Sequence, residues 1–387
     1  MRKTKKRIAI LGSTGSIGVN SLDVIRRFPE KYEITGLAAN RSAALLIEQA
    51  KYFKPKQVAL FDEEEAEKIR KKLPSSIKVL SGMDGIIKIA TADKTDLVVS
   101  AMVGAAGLLP TYMAIKAGKT IALANKEALV VGGELITKEA KKNNVRILPV
   151  DSEHSAIFQS MEGHRHKDIK RLILTASGGP FLNVDAAKLK KVTPDDALKH
   201  PNWKMGKKIT IDSATMMNKG LEAIEARWLF DIDIENISVI IHPESIIHSM
   251  VEYIDGSLVA QLGMPDMRVP ISFALSYPER LENKYASLDL AKKGTLTFRE
   301  PDMKKFKCLT LAIKAGKISG TMPAVLNASN EIAVHAFLER KISFTSIAEI
   351  TEKTMDAHTV KKVKTIDDVL NADKWGRKKA KELIDKI

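Results

Sequence analysis

Residues 11–18 have the sequence Leu11-Gly12-Ser13-Thr14-Gly15-Ser16-Ile17-Gly18. They follow a short apolar run that is typical of a strand, and they precede a helical pattern. Three glycines at this spacing favour a tight turn, close approach of the backbone to a pyrophosphate and a helix N-terminus directed at that anion. The pattern alone also fits an ordinary strand-to-helix turn. Its place after a first strand predicts a dinucleotide-binding unit at the start of the chain.

Short β-rich runs alternate with amphipathic helical stretches on both sides of this turn, as far as residue 150. Such alternation predicts a doubly wound parallel sheet of the Rossmann type. The predicted strands of this region are 7–11, 33–38, 57–61, 96–101, 120–124 and 145–150.

The remainder of the chain has two further patterns. An α+β domain with an open sheet is predicted by strand patterns at 171–176, 237–242, 248–253 and 258–262. A small helical domain is predicted by helical patterns at 309–315, 323–340, 343–355 and 366–387. We therefore predict an α/β chain with a Rossmann-type domain at 1–150, an α+β domain at 151–276, a linker at 277–302 and a C-terminal helical domain at 303–387.

The composition narrows the classes of partner. The net charge is +15 and aromatic residues make up only 5% of the 387 residues, so a stacking platform for single-stranded nucleic acid is not expected. The basic ends of the chain could bind nucleic acid or an anionic surface, keep the protein soluble, or attract phosphorylated substrates. Because no nucleic-acid motif is present, we favour the last two and expect no nucleic-acid partner.

The single cysteine, Cys308, excludes an intramolecular disulfide and a cysteine-based zinc site. Its apolar surroundings indicate packing, and its solitude fits a reducing cytosol. The uncharged run 97–115 is long enough to mimic a membrane span, but Gly104, Gly107 and Pro110 interrupt it. We expect a cytoplasmic protein with no membrane partner.

The end of the second predicted strand bears on cofactor choice. An NAD-binding unit would place an acidic residue there to bond the ribose hydroxyls, whereas this chain has Asn40-Arg41-Ser42. Arg41 would attract a 2′-phosphate, so NADPH is preferred over NADH. The alternative is a surface arginine before a helix that Ser42 caps.

Polar residues also follow two later strands, in Asn125-Lys126-Glu127 and Asp151-Ser152-Glu153. The carboxyl ends of parallel strands face the ligand crevice, although the first segment could simply begin a helix. On extended backbone Asp151 and Glu153 would point the same way and would repel each other without a cation. Together with Glu222 they would provide oxygen ligands that suit Mg²⁺ or Mn²⁺.

The segment Asp212-Ser213-Ala214-Thr215-Met216-Met217-Asn218-Lys219-Gly220-Leu221-Glu222 contains a second polar group. We expect a turn that opens a helix, with Ser213 or Thr215 as N-cap. Helical spacing places Asn218, Lys219 and Glu222 on one face, which alone is more often a solvated surface than a binding site.

Two irregular segments complete the candidates. Ser177-Gly178-Gly179 offers a hydroxyl and exposed amides for a phosphate, although it also fits a plain turn. The stretch 200–206 contains Trp203 among proline and glycine, which predicts a flexible active-site lid or, alternatively, a satellite core.

In combination and order, these motifs resemble the 1-deoxy-D-xylulose 5-phosphate reductoisomerase family along nearly the whole chain. The resemblance rests on 12–18, 124–130, 149–154, 177–181, 200–203 and 212–222. It implies NADPH- and metal-dependent rearrangement and reduction of 1-deoxy-D-xylulose 5-phosphate to 2-C-methyl-D-erythritol 4-phosphate in the non-mevalonate isoprenoid pathway. It also implies a homodimer.

The resemblance assigns roles to individual residues. The implied metal ligands, for Mg²⁺ or Mn²⁺, are Asp151, Glu153 and Glu222. The implied substrate-binding residues are Lys126, Ser152, Glu153, Ser177, His200, Trp203, Ser213, Asn218, Lys219 and Glu222. The implied NADPH-binding residues are Thr14, Gly15, Ser16, Ile17, Asn40, Arg41, Ser42, Asn125, Glu127 and Gly206. The implied catalytic residues are Lys126, Asp151, Glu153, His200 and Glu222.

Two other classes of protein compete with this interpretation. Another NADP-dependent enzyme with an N-terminal Rossmann domain, such as a homoserine or semialdehyde dehydrogenase, would share the glycine turn. The semialdehyde enzyme would need a catalytic cysteine, and Cys308 lacks the context for one. A basic nucleic-acid-binding protein would instead predict salt-sensitive binding that does not depend on Glu222.

Overall fold

The computed structural model describes residues 4–199 and 205–387. It contains two compact units. Unit 1 comprises Met1–Ala128, Ile136–Ser155 and Asp266–Asn283. Unit 2 comprises Leu129–Leu135, Ala156–Pro265 and Lys284–Ile387. Both units combine separate segments of the chain, and the four-part division at residues 150, 276 and 302 stays a prediction.

Unit 1 is built on a seven-stranded parallel sheet. Its strands are β1 (Lys6–Leu11), β2 (Tyr32–Ala39), β3 (Gln57–Leu60), β4 (Lys78–Ser81), β5 (Leu97–Ser100), β6 (Thr120–Leu123) and β7 (Ile147–Pro149). The spatial order is β4-β3-β2-β1-β5-β6-β7, so the chain reverses direction across the sheet at β1. The predicted doubly wound Rossmann-type sheet is confirmed.

The sequence patterns missed one strand and slightly overestimated others. β4 is only four residues long, begins with a lysine and has no fully buried residue, so it lacks the apolar run by which its neighbours were recognised.

The uncharged run 97–115 contains β5, whose four residues are all buried and which pairs with β1 and β6. Within the described ranges, no helix is both long and apolar enough to cross a membrane.

Unit 2 contains a four-stranded mixed sheet of order β11-β10-β8-β9. Its strands are β8 (Ile169–Ala176), β9 (Ile237–Ile241), β10 (Ile247–Tyr253) and β11 (Leu258–Leu262). β8 and β9 are parallel, whereas β10 runs antiparallel to both β8 and β11. The predicted open sheet is confirmed, and its buried side chains form one core with Ala223, Ala226 and Leu309.

Helices account for most of the remaining described chain. They are α1 (Ser16–Arg27), α2 (Ala43–Phe53), α3 (Glu63–Arg70), α4 (Gly82–Ala90), α5 (Leu108–Lys116), α6 (Lys126–Lys142), α7 (Ser152–Met161), α8 (Pro194–Ala197), α9 (Lys207–Ala214), α10 (Met217–Phe230), α11 (Arg268–Ser276), α12 (Leu290–Lys293), α13 (Lys307–Ile318), α14 (Met322–Leu338), α15 (Phe344–Asp356) and α16 (Ile366–Ile384). The predicted C-terminal helical region is confirmed as α13 to α16. Cys308 is buried in α13, as its apolar context indicated.

Candidate active site

The glycine turn of unit 1 connects β1 to α1. The backbone N–H groups of Gly12 and Ser13 both donate to the Ala38 carbonyl, each at 2.8 Å. Gly12 has a φ of +90°, and a Cβ there would lie 2.4 Å from the Ala101 oxygen, so only glycine fits. α1 begins with Gly15 as N-cap and has no acidic residue in its first turn. Its N-terminus is therefore a site where a pyrophosphate fits.

The polar segment after β2 lies at the carboxyl end of the same sheet. Arg41 is largely exposed, and its Nε lies 2.9 Å from the Asp62 carboxylate. Ser42 occupies the N-cap position of α2, but its side chain makes no capping hydrogen bond. Ser42 therefore occupies the N-cap position without capping through its side chain, and the contact of Arg41 with a 2′-phosphate stays a prediction.

The polar segment after β6 both caps a helix and lines the sheet edge. Asn125 is the N-cap of α6, and its Oδ1 accepts from the Ala128 N–H at 3.1 Å. Its Nδ2 donates to the Met102 and Gly104 carbonyls and, at 3.1 Å, to the Glu127 carboxylate. The helix-start interpretation of this segment is confirmed, and its contact with a cofactor stays a prediction.

The segment after β7 differs from the expected extended backbone. β7 ends at Pro149 and α7 begins at Ser152, so Glu153 lies on a helix and does not alternate with Asp151 along a strand. The prediction was wrong because β7 is too short to include the acidic residues. Lys126 Nζ lies 2.6 Å from Asp151 Oδ2, and Ser152 Oγ donates to Glu153 at 2.6 Å.

Electrostatics keeps Asp151 ionised. Burial alone would raise its pKa, but the Lys126 ammonium and then His154 outweigh burial, so the pKa of Asp151 lies below its usual range. Unit 1 therefore presents two half-buried carboxylate groups beside one lysine. Such hard oxygen donors suit Mg²⁺ or Mn²⁺.

The segment 212–222 in unit 2 forms a corner between two helices. α9 ends at Ala214, Met216 has a φ of +59°, and α10 begins at Met217. The prediction that Ser213 or Thr215 caps a new helix was wrong, since Ser213 belongs to the last turn of α9 and the N-cap is Met216. The apolar residues on both sides of the turn are buried, and this tertiary packing overrides the local capping preference.

The first turns of α10 hold the predicted polar face. Asn218 Nδ2 donates to Glu222 Oε1 at 2.5 Å, and the Lys219 ammonium pairs with the other Glu222 oxygen. Lys219 and Glu222 are only 4% and 1% exposed, respectively. Lys219 and Glu222 therefore form a buried charged pair with the half-buried Asn218 bonded to it. Burying a pair of charges costs free energy, which distinguishes this cluster from a solvated surface pair.

The Ser177 turn lies against this corner. The Gly179 N–H donates to Ser177 Oγ at 3.3 Å, and a Cβ on Gly179 would lie 2.7 Å from the Ser213 carbonyl oxygen. Gly179 also has a φ of +66°, so a side chain there is excluded twice. Unit 2 thus brings Ser177, Ser213 and the α10 cluster together.

The predicted lid segment contributes three site residues, His200, Trp203 and Gly206. His200 and Trp203 lie outside the described residues, as does most of the segment 200–206. Gly206 is described and is the N-cap of α9, with open space where a Cβ would be.

His248 is not among the site residues predicted from the sequence. His248 is buried on β10, and burial lowers its pKa to about 4, with smaller contributions from a Gly263 backbone bond that raises it and the Lys219 charge that lowers it. The imidazole of His248 is therefore neutral, and the positive charge of Lys219, in the same unit, acts on it. No local pattern indicates this, because the histidine sits in an ordinary apolar strand.

The parallel sheet, its switch in strand order at β1 and the glycine turn before α1 define the class of Rossmann-type dinucleotide-binding enzymes. Models of the 1-deoxy-D-xylulose 5-phosphate reductoisomerase family match residues 8–133 and, for a C-terminal domain, 147–230; a DXP reductoisomerase C-terminal domain model matches residues 262–379. The chain belongs to the 1-deoxy-D-xylulose 5-phosphate reductoisomerase family.

Relatives and solved structures support this membership along the full length. The chain is 60% identical to 1-deoxy-D-xylulose 5-phosphate reductoisomerase of Pelodictyon phaeoclathratiforme, over 98% of this chain and 100% of the relative. It is 57% identical to that of Chlorobaculum tepidum, with the same coverage. The Zymomonas mobilis enzyme in complex with NADPH has 44% identity and a TM-score of 0.94, over 99% of this chain and 100% of that one. A DOX-P reductoisomerase in complex with NADPH, fosmidomycin and magnesium has the same identity and TM-score, with 98% coverage of both chains.

Proposed function

We propose that the chain converts 1-deoxy-D-xylulose 5-phosphate to 2-C-methyl-D-erythritol 4-phosphate in isoprenoid synthesis, using NADPH and a divalent metal ion. The membership of the chain in this family supports the activity. Within the structure, the observation that supports it best is the Asn218–Lys219–Glu222 cluster, with its buried Lys219–Glu222 pair, next to Ser213 and the Ser177 turn. When bound, NADPH supplies a hydride and the metal supplies positive charge that polarises substrate oxygens.

NADPH and the sugar phosphate would be bound by largely different residues. In unit 1, the N-terminal residues of α1 (Thr14, Gly15, Ser16 and Ile17) would bind the pyrophosphate of NADPH, and Asn40, Arg41 and Ser42 its 2′-phosphate end. Asn125 and Glu127 would bind its nicotinamide side. We also propose that Gly206 adds a backbone contact to the cofactor.

The substrate would be held by charge and hydroxyl groups. We propose that Ser177, Ser213, Asn218 and Lys219 bind the phosphate, since a buried ammonium and short hydroxyl side chains suit a dianion. Phosphate contacts far from the reacting carbons supply binding energy for orientation. Lys126 and Ser152 would hold the sugar oxygens.

The metal would be bound by three carboxylates. We propose Asp151, Glu153 and Glu222 as its ligands, because each is a partly or fully buried carboxylate and such groups bind Mg²⁺ or Mn²⁺ well. A solved relative that contains magnesium supports the choice of a divalent cation. Lys126 would keep Asp151 ionised and ready to bind.

The segment 200–206 is proposed as a lid, with His200 and Trp203 on the substrate. Closure would keep water away from the aldehyde that is reduced. A cytoplasmic location is also proposed, because the one cysteine is a buried free thiol that suits a reducing compartment.

The activity is tested by following NADPH oxidation with 1-deoxy-D-xylulose 5-phosphate, with and without Mg²⁺ or Mn²⁺. Turnover that requires the metal is expected. Absence of metal-dependent turnover, in a protein that is folded and binds NADPH, would refute the proposed function.

Arg41→Ala is expected to raise the KM for NADPH about tenfold, which corresponds to one exposed charge-assisted contact. The KM for NADH should not change, since NADH has no 2′-phosphate. Arg70→Ala is the matched control, because Arg70 is also an exposed, singly paired arginine of unit 1. Equal weakening of NADPH and NADH by Arg41→Ala would contradict the proposed contact.

We also propose that the chain is a homodimer that pairs through β11. This strand is at the edge of its sheet, and Leu258 at its start is 55% exposed. Leu258→Lys should shift the sedimentation coefficient towards that of a monomer, whereas Leu370→Lys, at an exposed leucine of α16, should not. A dimer that survives Leu258→Lys unchanged would place the interface elsewhere.

A further inference from the structure

A buried polar contact connects α14 to the last turn of α9, across 118 positions of sequence. Asn330 Nδ2 donates to Asp212 Oδ1 at 2.8 Å, and Lys208 Nζ lies 2.8 Å from the other Asp212 oxygen. Asn330 is fully buried and Asp212 is only 1% exposed. A buried carboxylate needs partners for both oxygens, so Asn330 supplies something that solvent does not.

The other buried polar residues of α14 have a different use. Ser329 donates to carbonyls of its own helix, and Asn327 donates to Glu331 one turn further along the same helix. Asn330, in contrast, directs its amide out of α14 to another helix. A buried polar residue with no role outside its own helix would be expected to bond within that helix, as Ser329 and Asn327 do.

Asp212 belongs to the corner that carries the proposed phosphate-binding residues. We call residues 212–219 the α9–α10 corner. Thr215 Oγ1 donates to the Asp212 carbonyl at 3.2 Å and accepts from the Met217 N–H at 3.3 Å. The backbone between these residues includes Met216 in the left-handed region, so the corner is a single tight connection. Displacement of Asp212 would therefore move Ser213 on one side and the start of α10 on the other.

The helical region also presses on the corner from α13. A Cβ on Gly220 would lie 2.3 Å from the Ala312 Cβ, so α10 and α13 approach closely beside Lys219. The buried thiol of Cys308 lies near Asp212, and burial followed by the Asp212 charge raises its pKa to about 12. Residues of both α13 and α14 therefore pack against the α9–α10 corner and the start of α10.

We propose that Asn330 is a positioning residue for the sugar-phosphate pocket: through its bond to Asp212 it holds the α9–α10 corner, and with it Ser213, Asn218 and Lys219, in the binding geometry. The inference rests on the proposed function, because it takes those residues to bind the phosphate. We take Asn330, which is fully buried, to act through Asp212 and not through contact with the substrate. Its effect should appear in the use of the sugar phosphate and not in the use of NADPH, whose proposed phosphate contacts lie in unit 1.

The first test compares Asn330→Ala with Asn327→Ala. Both remove a fully buried asparagine amide from α14, but only the first removes a bond to the corner. We expect Asn330→Ala to raise the KM for 1-deoxy-D-xylulose 5-phosphate about tenfold, as for loss of one hydrogen bond to a charged group, with the KM for NADPH unchanged. Asn327→Ala should leave both constants near wild type, even where its melting temperature falls equally.

A second variant tests the Asn330–Asp212 hydrogen bond through the pH dependence of the KM. Asn330→Asp keeps the size of the side chain but places a second carboxyl against Asp212, with Lys208 and the Cys308 thiol as the other titratable groups that face them. Two carboxylates in contact favour holding one shared proton, so lowering the pH restores a donor between them. The KM penalty of Asn330→Asp should therefore shrink as pH falls, whereas that of Asn330→Ala should not depend on pH. A variant that is merely destabilised would not show this split.

Hydrogen exchange separates the inference from the proposed function. Amides of the segment 212–219 should exchange faster in Asn330→Ala than in Asn327→Ala, whether or not the chain is active. Faster exchange in a chain whose wild type does not oxidise NADPH would refute the function and leave Asn330 as a support of the corner. An active wild type in which both variants show the same KM values and the same exchange would overturn the inference.

Discussion

Glu222→Gln is expected to lower kcat by at least about 10²–10³-fold, the range found when one group that stabilises developing charge is removed. Glutamine keeps the shape and one acceptor oxygen, but it loses the charge that would bind the metal and that now pairs with Lys219. NADPH binding should stay near wild type, because the proposed contacts of its phosphates lie in unit 1. Steady-state NADPH oxidation and fluorescence titration with NADPH measure the two effects.

Glu331→Gln provides the matched control for this substitution. Glu331 accepts from an asparagine four residues earlier, Asn327, and pairs with a half-buried cation, Arg377, so it has the same types of partner as Glu222, although it is less buried. Removing its charge should lower the melting temperature without lowering kcat. A kcat for Glu222→Gln within about threefold of that for Glu331→Gln would exclude Glu222 from the metal site.

Lys219→Met is expected to raise the KM for 1-deoxy-D-xylulose 5-phosphate by about 10- to 100-fold, the equivalent of one buried charge-assisted hydrogen bond. Methionine retains much of the buried alkyl chain and removes only the ammonium group. The loss should be specific to the phosphate. With phosphate-free 1-deoxy-D-xylulose, kcat/KM is expected to be low and nearly equal for the wild type and the variant.

Lys119→Met controls for the removal of a buried lysine. Lys119 is 8% exposed, donates to the Asp93 carbonyl and precedes β6, at the end of the sheet opposite to the predicted ligand crevice. Its substitution should leave both KM values unchanged. If Lys219→Met impairs the phosphate-free sugar as strongly as the natural substrate, Lys219 acts through Glu222 and not on the phosphate.

Much of the fold could be predicted from local pattern. Six of the seven strands of the parallel sheet, all four strands of unit 2 and the C-terminal helices follow from apolar periodicity, which records directly which face of an element is buried. β4 escaped because a short, half-exposed edge strand leaves no such record. The geometry of two site segments was also misjudged: Glu153 lies on a helix, and the corner at Met216 joins two helices where a single new helix was expected.

The sequence by itself determined the order of the elements, the chemistry of the strand-end segments and the family, because these depend on residue type and on spacing within a few positions. Only the tertiary structure decided that Lys219 and Glu222 are buried together, that the Ser177 turn lies against Ser213, and that Asp212 bonds an asparagine 118 residues away. Local spacing specifies which side chains share a face. What that face meets depends on how distant elements pack, and no periodicity within one segment records its partner.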